Sequence, residues 1–170
     1  MPTGILLVAE RAVTFAGTIS PTPKRILDVG CGYGKYSVLL REYLDPDPIV
    51  DGVEAWEPYV NNFKLNNLYS TLYVSDVLDL SKDILDQYDL VMMGDVIEHI
   101  EKESALELLK RIRGWIIIAT PFDHFDTEDG LPPTEAHISH WTYDDFVNTG
   151  RLDRYEVSYG AHLARLSPIG

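Results

Sequence analysis

From Lys24 onward the chain repeats one pattern: a short apolar run, a stretch with apolar residues at three-and-four spacing, then another apolar run. Parallel strands need a crossover between them, usually a helix, so this alternation predicts a doubly wound, mostly parallel α/β sheet. Strands are expected at Arg25–Val29, Ile49–Glu54, 71–75, Leu90–Gly94 and 115–120. Trp115-Ile-Ile-Ile-Ala119 has no polar member, as a strand covered by helices on both faces requires. The last runs, 154–160 and Ala161–Leu166, read as an antiparallel hairpin.

Helices are expected between the strands. Residues 35–44 set Tyr36, Leu39, Leu40 and Tyr43 on one face. Residues 58–66 open on a proline suited to a first turn. Residues 104–113 carry Leu106, Leu109 and Ile112 and offer a Glu107–Arg111 pair, with 110–113 as a basic C-terminal cap. Thr142 would cap a helix over 142–148, with Gly150 just past its end. Residues 1–23 read as an N-terminal helix or arm on a core spanning 24–160, and the length suits a single domain over 1–170. Residues 121–141 lack periodicity. A loop this long in a compact domain is usually functional or disordered, and Phe122, His124, Phe125, His137, His140 and Trp141 within it favour function.

The net charge of −13 disfavours a nucleic-acid partner, since no basic patch offsets it. No apolar run reaches the roughly 18 residues of a membrane span, and no basic leader precedes the first apolar run. Cys31, the single cysteine, rules out an internal disulfide and fits a reducing, cytoplasmic setting. A small-molecule partner is expected; oligomeric state is left open.

Gly30, Gly32 and Gly34 fall between an apolar strand and an amphipathic helix. There they permit a tight turn and a close approach of ligand to backbone. A phosphate-binding P-loop is excluded, because Val29 stands where its first glycine belongs and Tyr36 follows Lys35. The dinucleotide pattern also fails, since its third glycine would fall at Lys35. The next strand ends in Glu54, where a carboxylate can accept both hydroxyls of a ribose.

Ile26-Leu-Asp-Val-Gly-Cys-Gly-Tyr-Gly34 resembles the cofactor loop of class I S-adenosylmethionine-dependent methyltransferases, a Rossmann-like family. The likeness continues at Glu54, at Val74-Ser-Asp-Val77 and along Tyr88-Asp-Leu-Val-Met-Met-Gly-Asp-Val-Ile-Glu-His-Ile100. The resemblance implies that Asp28 and the backbone of Gly30, Cys31, Gly32 and Gly34 hold the methionine end of S-adenosylmethionine. It implies further that Glu54 takes the ribose, that Asp76 and Val77 meet the adenine, and that Asp95 faces the methionyl amino group or the acceptor.

A sulfonium methyl is already electrophilic, so the protein must align a nucleophile and remove its proton where the acceptor needs it. His99, just past the fourth strand, is the expected base, with Asp95 beside it. The expected activity is methyl transfer to a small molecule, to oxygen rather than nitrogen. Two alternatives stand: a non-catalytic cofactor-binding module, and a metal-assisted enzyme. For the latter, Asp95, Glu98, His99 and His137 resemble the metal site of small-RNA ribose 2′-O-methyltransferases and would suit a divalent cation.

Overall fold

The computed structural model describes residues 5–44, 48–122 and 133–170. Its strands are β1 (Arg25–Val29), β2 (Ile49–Glu54), β3 (Leu72–Val74), β4 (Leu90–Gly94), β5 (Trp115–Pro121), β6 (Leu152–Ser158) and β7 (Ala161–Leu166). They form one seven-stranded sheet in the order β3-β2-β1-β4-β5-β7-β6. β1 to β5 pair in parallel. β7 inserts antiparallel between β5 and β6, so the expected hairpin joins the main sheet. Together these features are the doubly wound, mostly parallel α/β sheet the alternation predicts, with an antiparallel C-terminal pair.

The helices are α1 (Leu6–Ala16), α2 (Lys35–Tyr43), α3 (Glu57–Asn62), α4 (Lys82–Leu85), α5 (Lys102–Arg111) and α6 (Tyr143–Asn148). Alternate residues of the central strands feed opposite cores. Ile26, Met92, Ile117 and Ala119 pack with α1 and α2. Leu27, Met93, Ile116 and Ile118 pack with α5, Trp141 and Phe146. That two-sided burial is why Trp115–Ala119 has no polar residue.

Several elements depart from the sequence expectation. The helix expected over 58–66 ends at Asn62, because Lys64 adopts a left-handed backbone (φ 53°) that a helix cannot continue. A 3₁₀ turn, Leu65–Asn67, follows. The Glu107–Arg111 pair does not form. Lys110 takes Glu107 at 2.6 Å, while Arg111 donates to the carbonyls of Leu78 and Leu80 beyond β3. At Thr142 the expected cap forms, with both its N–H and its hydroxyl donating to Asp145 Oδ2.

The chain leaves β1 toward one edge of the sheet and β4 toward the other. This reversal opens a crevice at their carboxyl ends, the place where open α/β sheets bind ligands.

Candidate active site

Gly30 follows β1 and donates its N–H to Val53 O at 2.9 Å, drawing the loop against β2. Gly34 has φ 76°, and a Cβ there would stand 2.3 Å from Leu68 Cδ1. Only glycine both adopts that turn and fits that gap. Gly32 donates to Glu54 Oε2 at 3.1 Å, and Trp56 N–H to Oε1 at 2.8 Å. Burial pushes the Glu54 carboxyl up, and these two amides pull it back. The acid thus stands at the tip of β2, facing the glycine loop.

Other residues of the loop serve it from beneath. Cys31 turns its thiol inward, 3.5 Å from Val53 O, and burial raises its pKa; it can offer the crevice only main chain. Asp28 is fully enclosed, with Oδ2 accepting from Tyr69 Oη at 2.6 Å and Oδ1 without a hydrogen-bond partner. Burial pushes the Asp28 carboxyl up to about 7. Asp76 is exposed and caps the 3₁₀ turn Val77–Asp79, accepting from Leu78 N at 2.9 Å; Val77 is buried.

β4 ends in Gly94, and the chain then turns through Asp95 in a left-handed conformation (φ 56°). Non-glycine residues rarely adopt it, and such strain gathers at functional sites. Asp95 N–H donates to Ala119 O at 2.8 Å, which fixes the turn and leaves the carboxyl at the crevice. Burial raises its pKa, opposed by the charges of Lys35 and His99.

A 3₁₀ turn, Ile97–His99, follows. Glu98 is 2% exposed; Oε2 accepts from Thr120 Oγ1 at 2.9 Å, while Oε1 has no hydrogen-bond partner. Burial, with the charge of Asp95 adding to it, pushes this carboxyl up to about 8. His99 Nδ1 lies 3.0 Å from Ala136 O. A carbonyl only accepts, so Nδ1 carries the proton and Nε2 keeps its lone pair for a substrate proton or a cation. The His99 and His137 rings meet edge to face at 4.8 Å. Ligand atoms of Glu98, His99 and His137 lie within 4.8 Å of one another, a group that does not include Asp95.

Residues 133–141 are tied to that turn. The amides of Ile138 and Ser139 donate to Glu98 O at 2.8 and 3.0 Å, and Ser139 Oγ to Ile97 O at 3.1 Å. Trp141 is buried against Phe146 and donates to Ser139 Oγ, so it anchors the segment rather than lining a pocket. Phe122 is exposed, its ring 4.8 Å from that of His162. Phe125 and His124 lie outside the described residues.

Several neighbours of the site carry no signal in the sequence pattern. Tyr36 reads as an apolar-face residue, yet it brings a hydroxyl beneath the crevice, as does Tyr69, whose Oη donates to Asp28 Oδ2. Tyr59 Oη donates to Glu135 Oε1 at 3.2 Å, joining α3 to residues 133–141, and the Glu135 charge reaches Glu54, Asp95 and Glu98.

Residues 6–158 match the family model described as a methyltransferase domain, and the chain belongs to that family. The ubiquinone biosynthesis O-methyltransferase of Rickettsia bellii (strain OSU 85-389) is 37% identical over 105 residues, covering 56% of this chain and 41% of the relative. The chain therefore spans less than half the length of that relative. Among solved structures, magnesium protoporphyrin IX methyltransferase from Synechocystis PCC 6803, with S-adenosylhomocysteine bound, superposes at a TM-score of 0.70 with 17% identity. It covers 96% of this chain and 83% of its own. A small RNA methyltransferase, HEN1, superposes at 0.68 with 19% identity, covering 95% of this chain and 25% of its own. These structural likenesses concern the fold. Among the described residues no helix is long and apolar enough to cross a membrane.

Proposed function

We propose that this chain is an S-adenosylmethionine-dependent methyltransferase acting on an oxygen of a small molecule in the cytoplasm. One observation carries the reading: Glu54, at the tip of β2, faces the Gly30–Gly34 turn with backbone amides as its hydrogen-bond donors. That pairing of a bare glycine cradle with a facing carboxylate suits a ligand bearing a ribose diol beside an amino-acid end. When bound, the cofactor supplies an electrophilic methyl group. Gly30, Cys31, Gly32 and Gly34 would line the amino-acid end with backbone, above enclosed Asp28. Glu54 would accept the ribose hydroxyls, and Asp76 and Val77 would border the adenine.

His99 Nε2 is the base. It accepts the acceptor hydroxyl's proton as the oxygen attacks, and Asp95 stabilises the imidazolium that results. An oxygen acceptor suits a base at this point, and the R. bellii relative bears an O-methyltransferase name. A small molecule fits a chain of net charge −13.

A second reading rests on the convergence of Glu98, His99 and His137. Their donor set fits a divalent cation: Glu98 is buried with one oxygen lacking a hydrogen-bond partner, and Thr120 orients the other. A cation held there would lower the pKa of the acceptor hydroxyl. Thermal unfolding tests both readings. Ligand at about 100-fold above Kd adds about 2.7 kcal/mol, a shift of several degrees. We expect that rise with millimolar S-adenosylmethionine or S-adenosylhomocysteine; no rise overturns the methyltransferase reading. A rise with Mn²⁺ that a chelator abolishes selects the metal-assisted form.

A further inference from the structure

Tyr36, the second residue of α2, is 4% exposed, and its hydroxyl has no hydrogen-bond partner. The ring lies directly under the tip of β4. A Cβ built on Gly94 would stand 2.1 Å from Tyr36 Cε2 and 2.2 Å from Oη, so the phenol occupies the space that any other residue at 94 would need. Phenylalanine would pack the same way without burying an unmet hydroxyl. A buried polar group left unpaired in a native fold calls for an explanation.

The surroundings say what kind of group would pair with it. Burial disfavours ionisation of this phenol, and the carboxyls of Asp95, Asp28 and Glu98 add to it. The oxygen therefore keeps its proton and offers its lone pairs to a donor. Lys35 Nζ lies 5.2 Å from the Tyr36 ring centroid; burial lowers its pKa, and the charges of Asp95 and Asp28 oppose that. A ligand group with several N–H bonds can meet both the phenol oxygen and the Asp95 carboxyl.

We propose that Tyr36 Oη and the Asp95 carboxyl together accept hydrogen bonds from the methionyl ammonium of the bound cofactor. This rests on the methyltransferase reading above. The amino-acid end carries a carboxylate as well, but only its ammonium has N–H groups to donate to two acceptors. The sulfonium has no N–H to donate, so it does not meet the unpaired phenol. Gly94 is the matching requirement on β4, since without a side chain there the hydroxyl comes up to the crevice floor. The strained turn at Asp95 serves the same pair by holding the second acceptor beside the first.

Tyr36→Phe removes the oxygen and keeps the ring. Calorimetric titration of wild type and variant with S-adenosylhomocysteine and with 5′-methylthioadenosine, which lacks the amino-acid end, separates the roles. We expect a loss of about tenfold for S-adenosylhomocysteine. Affinity for 5′-methylthioadenosine should stay within about twofold, with the unliganded unfolding temperature unchanged or raised. Equal affinity of wild type and variant for S-adenosylhomocysteine overturns the assignment, as does an equal loss for both ligands. Asp95→Asn tests the other half of the pair, since asparagine tolerates the left-handed backbone. The same selective loss supports the pair, and none overturns it. Failure of the wild type to bind S-adenosylhomocysteine would overturn the cofactor reading itself.

Discussion

Glu98 binds a proton in the folded chain up to about pH 8, whereas an unfolded glutamate releases it near 4.5. Between those values the unfolded state holds fewer protons than the folded one, so stability falls as pH rises. Asp28 acts in the same direction between about 3.8 and about 7. Below the unfolded values neither residue penalises the fold; above the folded values the penalty is complete. Glu98→Gln cannot ionise. With chelator present, its stability relative to wild type should improve by about 2–4 kcal/mol between pH 5 and pH 8. Denaturant unfolding of both proteins at the two pH values measures this, and parallel pH profiles would show that the carboxyl is not held neutral. A ligand donating to Glu98 Oε1 would remove the same penalty.

α5 shows how a helix end can be completed from far along the chain. The basic run 110–113 was expected to cap it, but Arg111 turns to Leu78 O and Leu80 O, and Arg113 Nε lies 3.8 Å from Asp86. The carbonyls of Leu109, Ile112 and Gly114 are instead taken by Arg151, whose Nε also donates to Ser167 O. One guanidinium thus joins the end of α5 to the start of β5 and the end of β7. Lysine keeps the charge but not the fork. Arg151→Lys should cost about 2–3 kcal/mol in chemical denaturation, with far-ultraviolet dichroism of the native state unchanged; a loss under about 0.5 kcal/mol would show the bonds to be dispensable.

The strands and the glycine loop were legible because each depends on local apolarity and on residues near in sequence. β1, β2 and β4 fall where the apolar runs place them. The roles of Arg151 and Thr120 were not legible, because the groups they donate to lie far along the chain, and nothing local marks that Tyr36 packs under Gly94. Asp76 also shows why a residue type alone leaves its role open: its carboxyl caps a turn, which any aspartate after a strand can do.

Across the molecule, 27 acidic residues face 14 basic ones. The excess repels itself most in the compact state, and added salt screens it. Raising NaCl from about 0.02 to 0.2 M at pH 8 should therefore raise the unfolding temperature by a few degrees, as scanning calorimetry would show. A fall would mean that the surface ion pairs outweigh the repulsion.

Inserting β7 between β5 and β6 leaves β3 and β6 as the free margins of the sheet. β3 spans only Leu72–Val74, too short to template a long partner strand. β6 bears Asp153, Arg154 and Glu156, with Arg165 and Arg11 paired to the two acids, and its register slips between Leu152 and Arg154. A brief margin on one side and a charged, irregular one on the other both discourage pairing with a neighbouring chain. The strand order that shapes the crevice thereby also guards the protein against edge-to-edge aggregation.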